Sequence, residues 1–153
     1  MEYLIRKVEE KDLATLVELC QKHSDYENAI YNPNGKQELL KNAIFSDRQK
    51  LFCFVVESNN NLVGYASYTF DFSTWDANTF LYLDCLYLDP NFRGLGIGEI
   101  IIEKLKEIAT QNGCINIQWQ TPVFNERAIK FYNRIGGTGK DKVRFFIDLQ
   151  RAN

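Results

Sequence analysis

The sequence is poor in several features that mark particular classes of protein. It has three prolines and nine glycines among 153 residues, which excludes a collagen-like chain or one dominated by linkers. Its 18 basic residues are outnumbered by 20 acidic ones, so it lacks the basic excess typical of nucleic-acid-binding proteins. No run approaches the roughly 18 consecutive apolar residues of a membrane span. We therefore expect no nucleic-acid partner and no membrane insertion.

Residues for metal or covalent chemistry are also scarce. His23 is the only histidine, and no CxxC pair is formed by the four cysteines, Cys20, Cys53, Cys85 and Cys114. Zinc and dithiol redox sites need such close pairs, so we expect free thiols and no metal. The N-terminus carries charged residues where a signal peptide has an apolar core, which predicts a cytoplasmic protein.

The hydrophobic pattern predicts strands and helices in one domain over residues 1–153. The length suits one unit, and the 45% apolar content suffices for a core without disulfides. A first helix begins near residue 9, and further helices are predicted over 36–45, 97–111 and 126–135. Strands are predicted over residues 3–8, 51–57, 62–72, 80–88, 115–119 and 143–149. This order indicates an α/β protein with a mixed sheet.

The most informative segment is the loop over residues 89–98, between a buried strand and an amphipathic helix. Its glycines let backbone N–H groups approach a ligand, and the helix N-terminus adds a partial positive charge. A phosphate or pyrophosphate suits such a place. The dinucleotide fingerprint GxGxxG fails because its last glycine is missing, and Gly139-Lys140 lacks the Ser or Thr of a Walker loop.

Two blocks carry a resemblance to a known family. Arg93-x-x-Gly96-x-Gly98 resembles the (Q/R)xxGx(G/A) signature of the GNAT superfamily of N-acetyltransferases. Residues 125–136 resemble the family's NxxAixFYxxxGF segment, with Gly137 in place of the usual aromatic. The resemblance covers about residues 63–149, and the N-terminal third by element order alone. It implies a single-domain α/β fold with a mixed, mostly antiparallel sheet of six to seven strands, flanked by about four helices.

The resemblance implies that acetyl-CoA is the co-substrate. Its pyrophosphate would bind backbone amides of the loop, formed by Arg93, Gly94, Leu95, Gly96, Ile97 and Gly98. The Arg93 side chain would add a charge-assisted contact, or else be a solvated surface arginine. In this family the strand before the loop splays from the next one, and the pantetheine arm would pair with the main chain of Leu86, Tyr87 and Leu88. Asn125 would contact the same arm, cap its helix, or do both.

The resemblance further implies direct attack of a primary amine on the thioester. An alkylammonium must first lose a proton, and Asp84 is the predicted base, directly or through water, because it interrupts an otherwise apolar strand. Tyr132 occupies the position of the family's general-acid tyrosine, within the cofactor site, and would protonate the departing thiolate. The alternatives are that Asp84 is a buried cap for a backbone group and that Tyr132 packs in the core.

Residues 65–88 are most similar to the diamine, polyamine and thialysine acetyltransferases of this superfamily. Asp84 stands where those enzymes carry Glu after Leu-Tyr-Leu, while Cys85 replaces their next acidic residue. We expect a small cationic amine as acceptor, because carboxylates and aromatic faces attract cations. The candidates for its pocket are Tyr26, Glu27, Trp75, Asp84 and Trp119, with Asp25, Asp71 and Asp76 as further ones.

Other functions and assemblies stay open at this point. Acetylation of a protein N-terminus or lysine would need an open peptide groove, which sequence does not reveal. A non-catalytic acyl-CoA-binding module is the alternative from another class, although the presence of both Asp84 and Tyr132 favours an enzyme. Homodimers are common in this superfamily, and the hydrophobic strands would be compatible with one.

Overall fold

Five strands form one sheet in the part of the chain that the structure, a computed structural model, describes, residues 1–149. They follow one another across the sheet in chain order, and only the last pair, β4 and β5, is parallel. The strands are β1 Leu4–Lys7, β2 Phe52–Ser58, β3 Asn61–Ser73, β4 Asn78–Leu88 and β5 Ile117–Gln118.

The prediction of six to seven strands is wrong, although the mixed, mostly antiparallel sheet is confirmed. The segment predicted as the last strand, 143–149, forms neither helix nor strand. Its aromatic side chains Phe145 and Phe146 are largely exposed. High β propensity measures how well a side chain fits a paired, half-buried surface, so it does not make a strand where no ladder forms.

Residues 1–149 contain four α-helices, in agreement with the expected number. Two of them, α2 and α3, have the predicted bounds, and short 3₁₀ turns at Glu10–Asp12 and Pro90–Phe92 precede α1 and α3. The helices are α1 Leu13–Tyr26, α2 Lys36–Phe45, α3 Ile97–Gln111 and α4 Glu126–Arg134.

The chain divides into two compact units, Met1–Pro122 and the part from Val123 onward. The first contains the whole sheet with α1, α2 and α3, and the second contains α4. The single domain predicted over residues 1–153 stays a prediction, and its last four residues lie outside the described part of the chain. No helix among the described residues is both long and apolar enough to cross a bilayer.

Helix spacing explains which side chains fill the core of the first unit. In α3, Ile97, Ile101 and Leu105 are almost fully buried because they recur every four residues and share one helix face. On α1 the buried stripe consists of Leu13, Leu16 and Leu19. The face of the sheet that carries Tyr65 and Tyr87 packs with α1 in one hydrophobic cluster. The ends of α1 and β4 are therefore held close to each other.

Candidate active site

The loop before α3 is shaped by two glycines in the left-handed region. Gly94 has φ of 73° and Gly96 has φ of 82°, which L side chains adopt only with strain. The buried side chain of Ile97 anchors the first turn, and the Ile100 N–H donates to the Gly96 carbonyl at 3.1 Å. The preceding amides of α3 have no acceptor within the helix, so they and the helix dipole favour an anion here.

The end of β4 is open on one edge. The parallel pairing of β4 with β5 covers only Leu81 with Ile117 and Tyr82 with Gln118. β4 then continues six residues to Leu88, and no strand in residues 1–149 pairs with this edge beyond Tyr82. Among the described residues this edge of β4 is therefore unpaired beyond Tyr82, and the splay from the next strand stays a prediction.

Main-chain direction decides which residues of β4 face this open edge. The Asp89 N–H donates to the Val63 carbonyl of β3 at 2.8 Å, so the Leu88 carbonyl on the same peptide group points the other way. Leu86, two residues earlier, has the orientation of Leu88. The Tyr87 carbonyl instead points toward β3. It lies so close to Gly64 of that strand that a Cβ added to the glycine would be 2.7 Å from the carbonyl oxygen. Of the three predicted main-chain partners, Leu86 and Leu88 thus face the edge, and Tyr87 does not.

Arg93 braces the loop rather than lying free in solvent. Its Nε donates to the Leu88 carbonyl at 2.8 Å. Its guanidinium lies 4.4 Å from the ring centre of Tyr26 and 5.4 Å from that of Tyr87, within the range of cation–π attraction. The side chain is half-buried, so the alternative of a solvated surface arginine is wrong. Arg93 joins the end of α1 to the end of β4.

Asp84 is the extra residue of a β-bulge. Ser67 pairs with Cys85 and Tyr68 with Leu83, so Asp84 has no partner residue on β3. The bulge leaves the Asp84 side chain exposed, with the Cys85 thiol 3.7 Å from one carboxylate oxygen. This explains how a carboxylate interrupts an apolar strand without the cost of burial, and the alternative of a buried cap is wrong.

His23, near the end of α1, joins three of the elements around the site. Its Nε2 lies 2.5 Å from Oε2 of Glu27, and its Nδ1 lies 2.7 Å from the hydroxyl of Tyr65. The imidazole also stacks on the ring of Tyr87, with 5.4 Å between ring centres. Burial lowers the pKa of His23, whereas the negative charges of Glu27 and Asp84 act in the opposite direction.

The buried phenol that contacts His23 and the two thiols near that phenol keep their protons. Tyr65 is 3% exposed, and burial, followed by the nearby Cys85 and Cys20, raises the pKa of its hydroxyl well above the usual range. Burial likewise raises the pKa of Cys20, and it raises that of Cys85 to about 12. The phenol that contacts the imidazole is therefore neutral, and so are the two thiols next to that phenol.

The structure gathers only part of the predicted acceptor pocket. Tyr26 lies against Arg93, and Glu27 lies against His23, next to the end of β4. Trp119 is half-buried one residue beyond β5, and Asp25 accepts a hydrogen bond from the Gln21 amide at 3.0 Å.

The hairpin between β3 and β4 is remote from this group. Trp75 is 98% exposed at its turn, next to Asp76, and Asp71 pairs with Phe80 further along. Asp84 is six residues beyond the start of β4, which corresponds to about 20 Å of strand. Within one copy of the chain, Trp75, Asp71 and Asp76 are therefore not brought to Asp84.

The second unit contains the two other predicted site residues. The Asn125 side chain caps α4 by accepting from the Ala128 N–H at 3.4 Å, which is one of its two expected roles. Tyr132 is half-buried, with its ring 5.3 Å from that of Phe131. Contact of Asn125 with the cofactor and proton donation by Tyr132 stay predictions.

Sequence reasoning missed the His23 cluster and the bulge. A histidine and a glutamate four residues apart at the end of a predicted helix are a usable signal, since residues at this spacing lie on one face where the helical turn continues. Tyr65 is 42 residues away, and only the fold reveals it as the second partner of His23. The bulge at Asp84 depends on the pairing of β4 with β3 and has no local signature.

Comparison with known proteins agrees with this geometry. The chain is 30% identical over 141 residues to a thialysine N-epsilon-acetyltransferase of Bos taurus, covering 87% of this chain and 82% of the relative. It is 27% identical over 145 residues to a spermidine/spermine N(1)-acetyltransferase-like protein 1 of Homo sapiens, covering 89% of this chain but 21% of that longer protein.

Solved structures share the fold at lower identity. A possible acetyltransferase from Clostridium difficile 630 superposes with a TM-score of 0.79 at 18% identity, over 99% of this chain and all of that one. An aminoglycoside N-acetyltransferase crystallised with CoA gives a TM-score of 0.79 at 17% identity, over 96% and 95% of the two chains. The model of the acetyltransferase (GNAT) family matches residues 2–137. The resemblance is thus confirmed, and this chain belongs to the acetyltransferase (GNAT) family as an N-acetyltransferase.

Proposed function

We propose that this enzyme transfers the acetyl group of acetyl-CoA to a primary amine of a small cationic acceptor, such as a diamine, polyamine or thialysine-like amino acid. The observation that carries the proposal is the open edge of β4, which bears the exposed carboxylate of Asp84 and leads into the glycine turn before α3. The names of the curated relatives point to the same class of acceptor.

The residues around the glycine turn suit a diphosphate-bearing thioester. The amides from Arg93 to Gly98 include the unpaired donors at the start of α3, and Gly94, Leu95 and Gly96 are exposed. The free main-chain groups of Leu86 on the β4 edge suit an amide-containing arm, which would pair like an added strand. The Leu88 carbonyl already accepts from Arg93, so Leu86 is the stronger main-chain partner.

Starting from an ammonium ion, the reaction removes two protons from the nitrogen and supplies one to the sulfur. An alkylammonium with a pKa near 10.4 is almost wholly protonated at pH 7, and neutralising it costs about 4–5 kcal/mol. Asp84 takes this proton, directly or through water, and the amine nitrogen then attacks the thioester carbonyl. The C–N bond forms and the C–S bond breaks, and the phenol of Tyr132 gives its proton to the departing thiolate. The second proton then leaves the acylated nitrogen and, directly or through water, returns the Tyr132 phenolate to a phenol. Backbone N–H groups polarise the carbonyl, and positioning supplies much of the rate.

A carboxylate at the end of α1 suits the rest of a cationic acceptor. Glu27 keeps 29% of its side chain exposed, next to Tyr26, whose ring stacks with the Arg93 guanidinium. Attraction of an acceptor's second positive charge to Glu27 would favour a diamine over an amine with a neutral tail.

The direct test measures release of free CoA from acetyl-CoA with a panel of amines. The panel contains a diamine, a polyamine, thialysine, a monoamine of matched length and a peptide with a free N-terminus and a lysine. Acetylation of the dications, strongest among the small amines, supports the proposal. Preference for the peptide would instead identify a protein acetyltransferase, and tight CoA binding with no turnover on any amine would identify a binding module.

The role of Tyr132 has its own test. Tyr132→Phe removes one hydroxyl, so kcat should fall about a hundredfold, a usual contribution of general acid catalysis, with CoA affinity almost unchanged. Calorimetry with CoA and steady-state rates separate the two quantities. An unchanged kcat would remove Tyr132 as the acid, and absence of any heat with CoA for the unmodified protein would overturn the whole proposal.

A further inference from the structure

We propose that His23 is a positioning residue, which holds the Glu27 carboxylate in place for the second positive charge of the amine acceptor. The proposal rests on the function proposed above. It is carried by the juxtaposition of one half-buried imidazole with a carboxylate on one side and a buried phenol on the other. Neither Glu27 nor His23 reacts in this scheme, and their effect is on recognition of the acceptor.

The partners of His23 fix its tautomer. A carboxylate accepts only, so the contact of Nε2 with Glu27 requires a hydrogen on Nε2. A neutral imidazole then has a lone pair on Nδ1, which accepts from the hydroxyl of Tyr65. Tyr65 keeps the proton that it donates because burial disfavours its charged form. The hydrogen bonds therefore run in one direction, from Tyr65 through His23 to Glu27.

The ring is also held in orientation by its neighbours. It stacks on Tyr87 at an interplanar angle of 28° and meets the edge of Tyr65 at 70°. Glu27 is the C-cap residue of α1, and its N–H donates to the His23 carbonyl at 3.1 Å, so its backbone is held one helical turn beyond His23. His23 binds one carboxylate oxygen, Oε2, and the carboxylate has further lone pairs for a cationic ligand. A side chain otherwise able to rotate is thus fixed before the ligand arrives, which lowers the entropic cost of binding.

The charge of the pair depends on His23 staying neutral. The titratable groups near the imidazole are Glu27 just after its own helix, Asp84 on β4 and Arg93 in the loop. Tyr87 stacks on one face of the ring, and the Tyr65 hydroxyl meets its Nδ1 edge. Burial favours the neutral ring, so the imidazole adds no positive charge beside Glu27. A protonated ring would cancel the negative charge of Glu27.

Two substitutions of nearly equal size test the two hydrogen bonds of the imidazole separately. His23→Gln places an amide N–H near the position of Nε2 and keeps the bond to Glu27. His23→Asn places an amide oxygen near the position of Nδ1, so it keeps the bond to Tyr65 and loses the one to Glu27. We expect His23→Asn to raise the KM for a diamine about tenfold, the factor given by 1.4 kcal/mol, with the KM for acetyl-CoA unchanged. His23→Gln should restore most of the loss.

A double variant tests whether His23 acts through Glu27. Glu27→Gln should raise the diamine KM at least as much as His23→Asn, and adding His23→Asn to it should have little further effect. A monoamine with a neutral tail should be nearly insensitive to all three changes. Additive effects, or equal losses for the diamine and the monoamine, would overturn the proposal and leave His23 a structural residue only.

The unmodified protein gives a test that needs no variant. With a single histidine in the sequence, ¹⁵N-labelled histidine in untagged protein reports on His23 alone. The ring nitrogens should show the neutral Nε2–H tautomer at pH 7, and a saturating N-acetylated diamine that retains one amine should shift Nε2. An Nδ1–H tautomer, or no shift at saturation, would refute the role. If no amine of the panel is acetylated, the proposed function fails first, whatever the tautomer.

Discussion

The two ends of α1 each carry a cluster of charge, and they are built in opposite ways. At the start, Arg6 donates two hydrogen bonds to Asp12, at 2.7 and 2.9 Å, and a third to Glu57 at 2.9 Å. The Asp12 carboxylate also accepts from the Glu9 N–H at 2.8 Å. Asp12 is buried, and the cluster ties the helix start to β1 and β2.

At the C-terminal end of α1, no arginine of the described chain binds the carboxylates directly in this way. Glu27 is bound by a neutral imidazole, and Asp84 is exposed on its bulge. Arg93, the nearby cation, is engaged by a carbonyl and two aromatic rings. At the start of α1 one guanidinium binds both carboxylates directly, which leaves them no role but a structural one. At the end of α1 no guanidinium or ammonium within residues 1–149 binds Glu27 or Asp84 directly, so carboxylates next to an open strand edge are suited to a cationic ligand.

The largest loss of stability is expected when the charged cluster at the start of α1, formed by Arg6, Asp12 and Glu57, is broken. Arg6→Met leaves Asp12 buried without its cation, and we expect a loss of about 3 kcal/mol in the free energy of unfolding. Urea unfolding measures this loss, and the double variant Arg6→Met with Asp12→Leu should recover part of it. The KM for amines should not change. A loss below about 1 kcal/mol would show that Asp12 is solvated in solution.

A substitution in the charged group at the end of α1, formed by Glu27, Asp84 and Arg93, should reduce activity and leave stability almost unchanged. Asp84→Asn removes the proposed base, so kcat/KM for the diamine should fall about a hundredfold, and the alkaline-rising limb of its pH profile should shift or flatten. Because Asp84 is exposed, the free energy of unfolding should change by less than about 0.5 kcal/mol. An unaltered pH profile would exclude Asp84 as the base.

A smaller effect is expected in the pH dependence of stability, to which the two ends of α1 should contribute in different pH ranges. His23 has a lowered pKa in the fold, so the unfolded chain binds a proton more readily, and stability should fall as pH drops below about 6.5. The pKa of Asp12 is lowered chiefly by its hydrogen bond to Arg6, so its contribution is present above about pH 4 and is lost below it. Urea unfolding from pH 7.5 to 3 measures both steps.

Matched variants assign the two steps. His23→Gln should abolish the upper step alone, and Asp12→Asn the lower step alone. If stability declined in a single step in the unmodified protein, or if His23→Gln left the upper step in place, the imidazole would not be the group that titrates there.

Local sequence patterns were sufficient to predict many of the helices, strands and turns of the first unit, Met1–Pro122. The spacing of apolar residues gave α2 and α3 their bounds, and the glycines around residue 96 marked the turn before α3, because helix periodicity and positive φ are properties of short segments. The bulge at Asp84 and the bond between His23 and Tyr65 were not predictable in this way. Both depend on which strands pair and on contacts between residues far apart in the chain.

The bulge in β4 also has a consequence for how the proposed base is accommodated. Leu83 pairs with Tyr68 and Cys85 with Ser67, so the residues on either side of Asp84 pair with two consecutive residues of β3. Leu83 and Cys85 therefore lie on opposite faces of the sheet, as directly successive residues of a regular strand do. A chain one residue shorter at this point would form the same ladder with the same core. Asp84 is thus an insertion into a complete strand rather than a replacement for one of its packing residues. Removing it by deletion should abolish acetyl transfer and leave a regular, fully folded sheet.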